Sequence, residues 1–128
     1  MLVPVSEGNH RLVRRVFDRA ADSPVVVPEE VIPDDGVVIV DGSFLLSRQL
    51  REFWTTSILL RVSVAERLNR ALARDAHRLG NPDAIIERYT RRYIPGFELY
   101  TQEERPKAVA TAVIDNTSPE SPGSRPPA

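Results

Sequence analysis

The sequence predicts an α/β fold with a mostly parallel sheet, and three observations carry that prediction. Residues 37–40 (VVIV) and 58–62 (ILLRV) are short apolar runs without regular polar alternation, as strands buried on both faces read. Helical patterns lie between them, so strand and helix alternate. A third apolar run follows at 109–114 (VATAVI). Three strands make a thin sheet for a doubly wound domain, and the chain reads as part of one.

Residues 1–35 are weakly patterned. Their segments 12–17 and 25–32 place β-branched residues between prolines and charges, which suits short edge strands or a hairpin-like excursion. The body of the domain spans 36–116. Its first strand, 37–40, ends in Asp41-Gly42, and residues 47–54 look like a short helix before the strand at 58–62.

A longer helix is predicted over 63–80. Ser63 and Glu66 have capping-box spacing, and Gly80 supplies the stop. Val64, Leu68, Ala71, Leu72, Ala76 and Leu79 share one face at 100° per residue, and Ala71 and Ala76 would let a neighbouring element approach closely. Arg67, Arg70, Arg74 and Arg78 form the adjacent stripe. Asn81-Pro82 opens the next helix as N-cap and first residue, with Ile85, Ile86, Tyr89 and Tyr93 on its apolar face. Pro95-Gly96 should break or kink it, and 97–104 forms another helical piece. Asp115-Asn116 stops the strand at 109–114. The segment 117–128 (TSPESPGSRPPA) has no large apolar residue and reads as a disordered tail.

Composition excludes several classes. With 17 basic and 18 acidic residues in 128, the surface is not uniformly basic as in many nucleic-acid proteins. The chain has no cysteine, hence no disulfide framework, thiol catalysis or Cys-ligated zinc. No apolar run approaches the roughly 20 residues of a membrane span, and no signal-peptide pattern opens the chain; a cytoplasmic setting is expected. Lys107 is the single lysine, the other 16 basic residues being arginine. Any chemistry that needs a lysine must use that one.

Asp41 is the most informative position. A carboxylate that ends an apolar strand beside a glycine can lie near a magnesium ion in phosphate-transferring enzymes, although Asp-Gly is also ordinary turn chemistry. The arginine stripe could grip phosphates bidentately, or be a solvated face paired with Glu66 or Asp75. Asp75 falls on the apolar face and needs a partner, for which an arginine of the following helix is the candidate. His10 and His77 lack metal-ligand spacing, and Tyr89, Tyr93 and Tyr100 read as packing residues. The phosphate loop G-x-x-x-x-G-K-[ST] is absent: the glycines stand at 8, 36, 42, 80, 96 and 123, none at that spacing before a lysine.

The segments VVIVDGSFLL, LREFW, ILLRVSVAERLNRALARD, ERYTRRYIPGFELY and AVIDNTSP, with RRVFDRAADSPV upstream, together resemble the C-terminal half of the uridine kinase family. These are P-loop nucleoside kinases related to phosphoribulokinase, and the likeness is to the bacterial uridine kinase-like branch, over roughly residues 10–119. The resemblance implies a partial P-loop NTPase-type three-layer fold, with the N-terminal strand and phosphate loop missing. It also implies transfer of a phosphoryl group from ATP, with Mg2+, to the 5′-hydroxyl of a pyrimidine nucleoside, uridine or cytidine.

By that likeness Asp41 is the Walker B carboxylate near the metal. Arg70 and Arg74, with Asp75, match R-x-x-x-R-D at the start of the lid, whose helices span 63–94. Asp115 and Asn116 end the last core strand beside the adenine. The chain departs from the family at Leu79 and Asn81, where members carry arginines, and at Arg61, where a carboxylate is common. Without the phosphate cradle, the lysine and the family's catalytic carboxylate, no catalytic residue is assigned and these residues alone should be inactive. An apolar sheet edge is expected where the Walker A strand would pair, favouring self-association. The alternative is a non-catalytic interaction module, or kinase remnant, that pairs with another subunit. A third reading has the arginine helix bind polyanions, including nucleic acid.

Overall fold

The computed structural model describes residues 10–13, 17–18, 21–79 and 81–125, with the backbone alone at 77–79 and 124–125. Gly80, part of 12–17 and the side chains of Arg78 and Leu79 lie outside that description. The chain divides into two units, Met1–Gly42 and Ser43–Ala128.

The first unit holds four two-residue strands: β1 (Arg11–Leu12), β2 (Phe17–Asp18), β3 (Ser23–Pro24) and β4 (Glu30–Val31). β1 pairs antiparallel with β4, and β2 pairs antiparallel with β3. Of the stretch 25–32 only Glu30–Val31 is strand, and 14–16 of the stretch 12–17 lie outside the described residues. After β4 the Gly36 N–H donates to the Pro33 carbonyl at 2.8 Å. A Cβ at 36 would stand 2.7 Å from Ile32 Cγ2, so glycine is required for this close approach.

Residues 37–40 correct the sequence reading, because they form no strand. Val37 and Ile39 are 84% and 89% exposed. A β-branched run becomes a strand only beside a neighbour that satisfies its N–H and C=O groups, and no described strand pairs with this one. Asp41 is exposed and ends no strand.

In the second unit the expected helix at 47–54 contracts to a single 3-10 turn, Arg51–Phe53. Tertiary anchors outweigh a helix this short. Leu46 N–H donates to Tyr100 Oη at 3.1 Å, and Trp54 Nε1 donates to the Leu45 carbonyl at 2.6 Å. Then come β5 (Ile58–Arg61), α1 (Val64–Leu79) and α2 (Pro82–Arg88), a π turn (Tyr89–Tyr93), α3 (Ile94–Glu104), α4 (Pro106–Val109), β6 (Ala112–Asp115) and β7 (Gly123–Arg125). β5 and β6 are parallel with Ile58 opposite Ala112 and Arg61 opposite Asp115, and β7 adds antiparallel to β6. The β7 segment lacks an apolar anchor, so the backbone ladder to β6 holds it.

The core sits between one face of this sheet and the helices. Leu46, Tyr100, Ala110 and Val113 are buried together, with Trp54, Leu59 and Phe97 packed against them. Ala71 and Ile85 are also buried, whereas Ala76 is exposed and Ile86 and Tyr93 are 39% and 48% exposed. Complete burial of Ile85 is worth about 1.5–3 kcal/mol. Ile58 and Leu60, which share the opposite face of β5, remain 57% and 55% exposed.

The architecture is therefore mixed α/β, with small sheets and one parallel pair. Among the described residues of this unit, helices cover one face of the sheet rather than the two of a three-layer fold. No described helix is long and apolar enough to cross a membrane.

Pro95 does not break the helical path as expected. Proline clashes with the carbonyl four residues back, and the π turn immediately before it relieves that clash. The Ile94 N–H bonds the Tyr89 carbonyl, one residue beyond α-helical spacing. The extra residue shifts the hydrogen-bond register, and the chain continues as helix.

Candidate functional site

Ligands of parallel sheets gather beyond the carboxyl ends of the strands, and here β5 and β6 end together at Arg61 and Asp115. The Asn116 N–H donates to the Arg61 carbonyl at 2.8 Å, extending the ladder one residue. The Thr117 N–H donates to Asp115 Oδ1 at 3.0 Å. That Asx-type bond turns the chain off the strand. Ser63 N–H donates to Thr117 Oγ1 at 3.2 Å, joining the start of α1 to the same place.

Three of the expected site residues meet here. Arg70 Nη2 donates to the Asn116 and Thr117 carbonyls at 2.7 and 3.2 Å, while its Nε donates to Glu66 Oε1 at 2.8 Å. Arg70 thus binds the backbone carbonyls of the turn that Asp115 initiates. Glu66 explains why the predicted capping box is half formed. Ser63 Oγ accepts from the Glu66 N–H at 3.2 Å, but the Glu66 carboxylate faces Arg70 rather than the Ser63 N–H.

Arg74 is occupied elsewhere on α1. Its Nε and Nη2 donate to the two oxygens of Asp75 at 3.0 and 2.9 Å, and Nη2 also reaches Tyr89 Oη at 3.4 Å. Its hydrogen bonds to Asp75 and then to Tyr89 push its pKa further above the ordinary guanidinium range. Asp75 is thus held by the preceding residue, Arg74, and the π turn supplies Tyr89 to the same guanidinium. Tyr89 stacks edge-on against Tyr93, centroids 5.0 Å apart, and Tyr100 is buried, so the tyrosines are packing residues.

Asp41 belongs to the other unit. Among the described residues no group of three or more His, Asp or Glu side chains is placed to hold a metal ion. Magnesium takes few protein carboxylates and completes its shell with water and substrate phosphates. A lone exposed carboxylate does not constitute such a centre.

Sequence reasoning missed a pocket of about 270 Å³ against β5, lined by Leu59, Leu60, Arg61, Val62, Arg67, Phe97, Thr101, Pro106 and Lys107. Its one visible signal was Arg61, a cation inside an apolar strand. The convergence of Arg67 and Lys107, 40 positions apart, is tertiary and has no local signature.

No family model matches this chain, and searches of curated proteins and of solved structures give no match. The likeness to uridine kinases rests on the sequence motifs alone.

Proposed function

We propose that these residues are the lid-bearing C-terminal portion of a uridine kinase-like protein, which uses ATP and Mg2+ to phosphorylate a pyrimidine nucleoside once a strand and phosphate loop are supplied from outside them. One observation carries the reading: among the described residues β5 is an unpaired edge of its sheet, with Ile58 and Leu60 exposed. The missing Walker A strand would pair on that edge by the sequence resemblance. Among the described strands none pairs with the VVIV run of 37–40 either, as expected of a strand whose neighbour is absent.

In this reading Arg70, Asp115 and Asn116 shape the nucleotide end of the parallel pair, Arg74 follows on the lid, and Asp41 awaits phosphates held by the loop. A non-catalytic module is favoured as second reading by the engagement of Arg70 and Arg74, since both guanidinium groups already have partners within the chain.

The test is complementation. The isolated chain should neither phosphorylate uridine nor bind MgATP at micromolar concentration by calorimetry. Co-expression with the N-terminal half of a bacterial uridine kinase, carrying the strand and G-x-x-x-x-G-K-[ST] loop, should give a co-purifying complex with uridine-dependent ADP release. A stable but inactive complex would establish the module. Tight MgATP binding by the isolated chain would overturn the claim that its phosphate site lies elsewhere.

A further inference from the structure

The pocket against β5 brings together Arg61 from the strand, Arg67 from the first turns of α1 and Lys107 from α4, and no carboxylate lines it. None of these three cations has an ion-pair partner among the described residues, although Arg48, Arg70, Arg74 and Arg91 each have one. Arg67 is the most telling. Its guanidinium lies over the Phe97 ring, 4.7 Å from the centroid, and its Nε is buried with no hydrogen-bond acceptor. A stacked cation keeps its edge donors available, and a buried donor without an acceptor is costly. An anion in the pocket would supply one.

We propose that this pocket binds a small organic phosphate, its dianionic head held by Arg61, Arg67 and Lys107 and its apolar body against Leu59, Val62, Phe97 and Pro106. The charge count sets the head. Three cations leave a monoanion overcompensated, and guanidinium forks match phosphate oxygens bidentately. Apolar walls strengthen these charge interactions by lowering the local dielectric. The volume sets the body: about 270 Å³ lies just below the roughly 300–1,000 Å³ of pockets for drug-sized ligands. A phosphorylated fragment fits that size better than a nucleoside triphosphate. The Thr101 side chain donates to the Phe97 carbonyl at 2.8 Å, which leaves its oxygen lone pairs but no proton for the ligand. The site is independent of the kinase-like reading, because it uses neither Asp41 nor the turn that Arg70 binds.

The test is titration of the whole chain with phenyl phosphate, inorganic phosphate, benzoate and phenol, followed by calorimetry and by amide chemical shifts at Phe97 and Thr101. Phenyl phosphate should bind saturably, inorganic phosphate at least fivefold more weakly, and phenol not measurably. Arg67→Gln and Lys107→Gln should each weaken phenyl phosphate at least fivefold, while Arg91→Gln, on the π turn and paired with Glu87, should not. Lys107 is exposed, so K107Q decides the question if R67Q fails to fold. Absence of saturable binding, equal affinity for benzoate or phenol, or an equal loss in R91Q would each overturn the proposal.

Discussion

Arg70 shows how one side chain can join a helix to a strand end. Two of its donors reach carbonyls 46 and 47 residues away, and Glu66, one turn earlier on α1, holds its Nε. Hydrogen bonds from a charged donor are worth about 1.5–3 kcal/mol. The Arg70 side chain is 35% exposed, and solvent screening reduces that value. Arg70→Ala should therefore destabilise the chain by about 1–2 kcal/mol in urea unfolding, with loss of amide protection at Thr117. Tyr100 gives a pH-dependent counterpart. Burial raises its pKa above the ordinary 10, against an opposing hydrogen bond from the Leu46 backbone. The folded state therefore keeps its proton to higher pH than the unfolded state. Stability is full below about pH 10 and falls as pH rises through the folded-state pKa. Tyr100→Phe should remove that alkaline component and cost about 1–3 kcal/mol at neutral pH, because the Leu46 N–H loses its acceptor. Both measurements are urea titrations across pH. The pair of Glu66 with Arg70 was legible in the sequence because the two lie one helical turn apart. The contacts of Tyr100 with Leu46 and of Arg67 with Phe97 span 54 and 30 positions, and no local pattern encodes them.

At the scale of elements, α1 and β5 were read nearly to their ends, because periodicity and capping are local. The segment 37–40 was misread for the opposite reason: its composition is that of a strand, but a strand exists only with a partner. The helical path passes Pro95 without a break because the extra residue of the π turn offsets the proline. That turn also sets the facing of α3. One residue more or less rotates everything after it by about 100° about the helix axis, which would carry Phe97 and Tyr100 away from Leu46, Ala110 and Val113. Thr90 is exposed, so its deletion removes little contact of its own. Deletion of Thr90 should nonetheless cost several kcal/mol or prevent folding, because it dismantles the core. Thr90→Ala should cost less than about 0.5 kcal/mol. Thermal unfolding of the pair separates register from side-chain loss, and equal stabilities would show that α3 finds its packing without the π turn.

For the Ser43–Ala128 unit, the sheet is ordered β5-β6-β7, with β7 covering one side of the parallel pair and nothing described covering the other. Natural proteins protect such edges with charges, proline, bulges or a covering element. β5 places Arg61 near its end, but Ile58 and Leu60 leave most of the strand apolar and exposed. Ser57 and Thr111 clip the start of β5 to β6, with Ser57 N–H donating to Thr111 Oγ1 at 3.1 Å and Thr111 N–H donating to Ser57 Oγ at 3.2 Å. Those clips hold the strand extended, so its outer N–H and C=O groups are presented to any arriving strand. A strand from a second copy can use that edge. Sedimentation equilibrium at tens of micromolar should show self-association. Ile58→Lys should shift the protein toward monomer, because a charge on an edge strand opposes pairing. Val64→Lys is the matched control, since Val64 is 44% exposed but lies on α1. A strictly monomeric parent protein would overturn the self-association, and an equal effect of both lysines would place its surface elsewhere. If the N-terminal kinase half displaces the second copy, it competes for β5, and the same experiment then reports on the edge that carries the proposed function.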